Sequence, residues 1–165
     1  MLYVYKNHYI FFALASYAVI GFSKELNVES VHVIKNTIQI KINGHVQQYK
    51  STHSIEGYSI NCQKTYLSTW GRALVLNPDS PQDSFLSVVD LKRKKIKQVY
   101  NSSKGIFDVI YLNNGIEAFV DSGLPALVNL RRFRYASSLS LVAPSLDSIE
   151  SCNDFEYKSF RSYKK

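Results

Sequence analysis

Beyond its first 23 residues the chain carries no sustained apolar stripe of helical period; apolar and polar positions mostly alternate in twos. The alternation is cleanest in Thr37-Ile38-Gln39-Ile40-Lys41-Ile42, which puts three isoleucines on one face of a strand. Asn43-Gly44 follows, the pair that a type I′ turn selects because both central residues need positive φ, and Val46 to Tyr49 is the return strand. Ser51 to Gly57 is polar and reads as a loop, after which Tyr58 to Cys62 and Thr65 to Leu67 resume strand character. Ala73 to Leu76 is wholly apolar and predicts a short central strand. Asn77-Pro78-Asp79-Ser80-Pro81-Gln82-Asp83-Ser84 then predicts a projecting loop stiffened by two prolines. Phe85 to Leu91 and Ile96 to Tyr100 are predicted to pair across the basic turn Lys92 to Lys95, and Phe107 to Leu112 with Ala118 to Asp121. Ala126 to Leu130 and Phe133 to Tyr135 form a further hairpin turning at Arg131-Arg132, and Leu139 to Val142 is one more strand. From Pro144 the chain is polar, with Phe155, Tyr157, Phe160 and Tyr163 set among charges; a short helix and a tail held by Cys152 are both admissible.

One phrase occurs twice. Tyr66-Leu67-Ser68-Thr69-Trp70-Gly71-Arg72-Ala73-Leu74-Val75 returns as Tyr111-Leu112-Asn113-Asn114-Gly115-Ile116-Glu117-Ala118-Phe119-Val120, about 45 residues on, the length of one four-stranded propeller blade. In each, a strand is expected to enter a polar turn closed by glycine and a second strand to leave it. With 13% aromatic residues and frequent turn signals, this predicts an all-β domain over residues 24–143. A closed propeller needs at least about four blades of roughly 40–45 residues, and the chain after residue 23 has room for about three. The expected architecture is a propeller-like stack of antiparallel blade hairpins, not a full closed propeller, with a β-sandwich as the alternative. The pattern leaves open whether a second copy completes the stack as a homodimer.

The first 23 residues read as a secretory signal peptide: Lys6 supplies the positive region, Tyr9 to Phe22 is free of charge, and Gly21 and Ser23 occupy the −3 and −1 positions. Cleavage after Ala18 and an uncleaved anchor are the alternatives, the apolar run being short for a membrane span. The expected location is periplasmic or secreted, without stable membrane insertion once the leader is removed. Loss of the leader leaves 19 basic and 13 acidic residues. The bases cluster at Lys92, Arg93, Lys94, Lys95 and Lys97, at Arg131, Arg132 and Arg134, and at Lys158, Arg161, Lys164 and Lys165. No nucleic-acid recognition motif accompanies them, so an acidic partner or an anionic envelope surface fits better than nucleic acid. The Lys92 to Lys95 turn is a basic contact patch or simply a solvated edge guard. Cys62 and Cys152 are the only cysteines, and an oxidising compartment predicts a disulfide that ties residues 144–165 to the strand around Ile60; two free thiols are the alternative.

Candidate chemistry is sparse. Nucleophile-elbow, zinc-protease and phosphate-loop motifs are absent, and nothing asks for a cofactor. His32, His45 and His53 could converge on a metal, but their turn and loop settings favour solvated or locally bonded histidines. Cys62 paired with one of them as a nucleophile competes with the disulfide. Asp90 and Asp121 stand at strand ends, where carboxylates tie turns, and Trp70 is a core anchor or an exposed contact. The expectation is a non-enzymatic protein. The strongest binding candidate is the loop bearing Asp79, Ser80, Gln82, Asp83 and Ser84, since a stiffened loop loses less entropy on docking.

Tyr66-Leu67-Ser68 followed by Gly71-Arg72, the run Ala73 to Leu76, the serine-bearing loop, Phe85 to Asp90, Lys94 to Tyr100 and Asp108 to Phe119 come in an order that resembles periplasmic immunity proteins that neutralise type VI secretion peptidoglycan amidases. The leader, the cysteine near the C-terminus and the Lys-Lys ending are similar too. The resemblance implies a stoichiometric inhibitor whose serine-bearing loop enters the Cys-His cleft of a secreted cysteine-type amidase effector and occludes it. Asp79 to Ser84 match that loop, but Pro81, Gln82 and Asp83 stand where small residues are expected. The balance of charge is basic where the family is acidic, which implies a partner with an acidic rim. An envelope scaffold, or an inhibitor of another hydrolase, is the alternative for an exported β domain.

Overall fold

A computed structural model describes residues 26–137, 143–152 and 160–161. The leader, the strand expected over Leu139 to Val142, and the tail residues Phe155, Tyr157, Lys158, Tyr163, Lys164 and Lys165 lie outside the described residues.

The described chain is all β apart from one 3₁₀ turn at Leu146–Ser148. It forms three antiparallel sheets, none closed on itself. The first is a meander of β1 (Val28–Ile34), β2 (Thr37–Ile42) and β3 (His45–Lys50). In its Asn43-Gly44 turn both residues have positive φ, 49° and 80°, as the sequence requires. The second comprises β4 (Gly57–Ile60), β5 (Tyr66–Arg72), β6 (Ser84–Asp90) and β7 (Lys95–Ser102). The third comprises β8 (Ile106–Tyr111), β9 (Glu117–Ser122), β10 (Ala126–Asn129) and β11 (Arg134–Ser137). A two-residue strand, β12 (Phe160–Arg161), pairs with β4 and brings the C-terminal part back to the second sheet. Each of the larger sheets is a four-strand meander in chain order, the form of a propeller blade.

The sheets pack face to face with the second in the middle. Strand alternation divides its side chains between two cores. Tyr58, Ile60, Leu67 and Val89 pack with Ile38, Ile40 and Ile42 of the first sheet. Trp70, Leu86, Val88 and Val99 pack with Val109, Tyr111, Val120 and Val128 of the third. The Tyr111 hydroxyl crosses the second interface, donating to the Ser59 carbonyl at 3.0 Å and lying 2.8 Å from Ser68 Oγ.

Two expectations need correction. Ala73 to Leu76 is not a central strand: β5 ends at Arg72, and Leu74, Val75 and Leu76 are exposed at 53%, 85% and 52%. A short apolar run has the same texture in a core and on a docking surface. Nor are the two copies of the repeated phrase equivalent. Asn113-Asn114-Gly115 makes a turn between β8 and β9, whereas Trp70-Gly71 lies inside β5, with Trp70 3% exposed in the core. Gly71 is required by close approach: a Cβ there would run into the Ser54 carbonyl oxygen. The corresponding second strands of the two blades begin at Tyr66 and Glu117, a spacing longer than the phrase suggests.

Candidate functional surfaces

Strand register sets the two ends of the stack. Arg72, Ser84 and Ser102 share one end with Ile106 and Ser122; Tyr66, Asp90 and Lys95 share the other with Tyr111 and Glu117.

At the first end, residues 73–83 join β5 to β6 and stand out from the sheet. The loop is organised from within. The Asp79 N–H donates to Asn77 Oδ1 at 3.1 Å, the Ser80 N–H to the Asn77 carbonyl at 3.1 Å, and the Asp83 N–H to the Ser80 carbonyl at 3.1 Å. These linked turns, with Pro78 and Pro81, restrict the backbone before any partner arrives. The loop residues named from sequence divide. Asp79 and Gln82 are exposed and Ser80 is partly so. Asp83 is half-buried with Oδ1 shut away from solvent, and Ser84 is 4% exposed as the first residue of β6, its hydroxyl donating to the Gln82 carbonyl at 3.3 Å. Ser84 is therefore a strand residue and not part of a presented surface. The pairing Arg72–Ser84 draws the loop's end back into the sheet. What the loop presents instead is Leu74, Val75 and Leu76, which the pattern assigned to the interior.

Under this end lies His53, fully buried and bridged to Ala73. Its Nδ1 is 2.9 Å from Ser51 Oγ, and its ring stacks on Phe85 with centroids 6.4 Å apart. Nε2 is buried without a hydrogen-bond partner. Burial holds the imidazole pKa down at about 4, opposed only by the backbone of Thr69. His32 and His45 are exposed on the first sheet, where they pair across strands with Gln39 and Ile42. His45 lies at the opposite end from His53, so the three histidines do not converge.

The arrangement is unassigned by likeness. No protein-family model and no curated protein matches the chain. Among solved structures it is similar to the β-propeller domain of the Trilobed protease from Pyrococcus furiosus, at a TM-score of 0.40 and 7% identity, covering 69% of this chain and 42% of that one.

At the second end, Cys62 and Cys152 form a disulfide with Cα atoms 5.5 Å apart. Cys62 is thus no thiolate nucleophile. Residues 145–152 run as a strap beneath the third sheet: Ile149 bridges Leu112, the Asn113 N–H donates to the Ser148 carbonyl at 2.9 Å, and the Glu150 N–H to the Tyr111 carbonyl at 2.9 Å. Glu150 Oε2 accepts from the Cys62 N–H at 2.8 Å; burial raises its carboxyl pKa, with that bond opposing. Strap and β8 border a cavity of about 360 Å³ lined by Ile110, Tyr111, Ile149, Glu150 and the disulfide.

The basic hairpin turn Lys92 to Lys95 is exposed on the same end. Asp90 ties it, its Oδ1 accepting from the Arg93 N–H at 2.8 Å and its Oδ2 lying 3.6 Å from Arg93 Nε. Asp90 thus ties a turn, as a strand-end carboxylate commonly does. Arg131 and Arg132 are exposed on the β10–β11 turn, and Arg134, also exposed, opens β11. Proximity of the two basic turns was not legible in the sequence, because it depends on how the second and third sheets stack.

Proposed function

We propose that the protein is an exported, non-catalytic β domain that acts by docking its β5–β6 loop onto another protein. Within that class, we propose an immunity protein that occludes the active site of a secreted peptidoglycan-degrading amidase. The observation that carries this reading is the exposure of Leu74, Val75 and Leu76 on a loop whose turns are already hydrogen-bonded. Three adjacent aliphatic side chains held in water are costly unless a partner covers them, and a pre-ordered loop keeps most of the energy that covering them releases. Export agrees with the leader and with a disulfide that an oxidising compartment maintains. Among the described residues no helix is long and apolar enough to cross a membrane.

The test pairs the purified chain with the exported cysteine hydrolase encoded beside its gene, followed by calorimetric titration and a peptidoglycan-hydrolysis assay. One-to-one inhibition is expected. Changing Leu74, Val75 and Leu76 together to Ser should weaken binding by on the order of 4 kcal/mol, roughly a thousandfold, since about that much burial is removed. The thermal midpoint should hold, because these side chains support no core. Unchanged affinity removes the loop from the interface, and full hydrolase activity at excess inhibitor ends the immunity reading.

A further inference from the structure

We infer that the end of the stack opposite the loop is an electrostatic docking face for an anionic lipid surface. Its first element is the meeting of two basic turns distant in sequence. Lys92, Arg93 and Lys94 lie between β6 and β7 and Lys95 opens β7, while Arg131 and Arg132 lie between β10 and β11; all six are exposed. The turns share one end of adjacent sheets: Asp90 pairs with Tyr66 and Lys95, and Asn129 pairs with Glu117 and Arg134. The Tyr111 hydroxyl lies 3.4 Å from the Tyr66 carbonyl oxygen, and Tyr66 and Phe133, the latter in the second turn, pack against the same core.

The second element is the treatment of the acids at this end. Glu29 is held by Lys41 at 2.6 Å and by the Gly44 N–H. Asp90 is held by Arg93, Glu117 Oε2 by Asn114 Nδ2 at 2.7 Å, and Glu150 by the Cys62 N–H. Among the described residues Asp147, on the strap, is exposed as well. Glu29, Asp90, Glu117 and Glu150 are each bound within the fold, Asp90 by Arg93, while the other five cationic side chains are exposed on and beside the two turns. Opposite charges so sorted leave a field that is positive outward.

The third element is where the chain enters the fold. The Asn27 N–H donates to Asn43 Oδ1 at 3.1 Å and the Asn43 N–H to the Asn27 carbonyl at 3.0 Å. The residue following the uncharged run Tyr9 to Phe22 by only a few positions is therefore fixed at the β2–β3 turn, on this same end. A chain emerging at a membrane presents this end to it first, with the β5–β6 loop pointing away. Exposed turn tips carrying point charges, with no nucleic-acid recognition motif in the sequence, suit a diffuse lipid headgroup layer and not a nucleic-acid strand.

The experiment is flotation of the full chain with vesicles of neutral phosphatidylcholine and with vesicles containing one third phosphatidylglycerol. The neutral vesicles report whatever the apolar N-terminal run contributes, so the ratio of the two reads the basic end. Each basic side chain near such a surface strengthens binding about fivefold. Anionic vesicles should win by more than tenfold at low salt, and the preference should collapse at 0.5 M salt. Lys92→Gln, Lys94→Gln, Lys95→Gln, Arg131→Gln and Arg132→Gln together should abolish it at an unchanged thermal midpoint, leaving the Arg93–Asp90 pair in place. Lys92→Arg, Lys94→Arg and Lys95→Arg together should retain it. Equal binding to both vesicles, an unaffected quintuple variant, dependence on Leu74 to Leu76 instead, or tight binding to duplex RNA without vesicle preference would each overturn the inference.

Discussion

His53 should make this protein sensitive to mild acid through one side chain. It is fully buried, its Nδ1 lies 2.9 Å from Ser51 Oγ, and its Nε2 makes no hydrogen bond, so only the Thr69 backbone offsets the cost of charging the ring. Burial lowers its pKa from 6.5 in the open chain to about 4 in the fold. The unfolded chain therefore binds the proton more readily throughout that window, and stability falls as pH drops from 6.5 towards 4, then levels off. Integrating the linkage relation gives a loss of about 2 kcal/mol between pH 7.5 and 5, and about 3 kcal/mol by pH 4. Urea melts at pH 7.5, 6, 5 and 4 would measure it, with the His53→Gln variant as reference. The variant should be less stable at pH 7.5 but lose less on acidification, so that the two stability curves converge by about the stated amounts. Parallel curves, or an imidazole seen by NMR to titrate near its open-chain value in the folded protein, would refute the reasoning.

Two further outcomes follow from the frame of the molecule. Gly71→Ala places a methyl against the Ser54 carbonyl, a backbone atom that can yield only by shifting the segment bridged to β5, so a destabilisation of about 2 kcal/mol or more is expected by urea melts. A midpoint within error of wild type would show that the strand and the crossing segment are further apart than described. Changing Cys62 and Cys152 together to Ser opens a loop of sequence separation 90 and should cost about 4 to 5 kcal/mol in the chain-entropy account, matched by reduction of the native chain; an indifferent melt would mean the strap holds without the bond.

What could be foreseen from the chain was whatever neighbours in sequence determine. Ile38, Ile40 and Ile42 alternate, Asn43-Gly44 turns, and all three isoleucines are buried as the alternation requires. The basic hairpin after Asp90 and the disulfide were legible for the same kind of reason, one from turn residues and the other from the count of cysteines. The misreadings share a cause as well. Glycine marks both turns and close approaches, so Gly71 looked like Gly115 although one sits in a strand and the other in a turn. Leu74 to Leu76 read as core because an apolar run does not announce which side of the surface it occupies. His53 is locally bonded, to Ser51, one of the two readings its loop setting allowed, but its burial comes from the crossing of that stretch over the end of β5. That the two basic turns share one end depends on sheet stacking, which no local pattern encodes.

The link between Cys62 and Cys152 has a bearing on timing. All three meanders are built from strands adjacent in sequence, so each can assemble as soon as its own residues are free of the machinery that delivers them. Cys152 follows every strand of the three meanders, so a chain delivered N-terminus first can complete those meanders while still unlatched, and the bond to Cys62, like the pairing of β12 on β4, can form only afterwards.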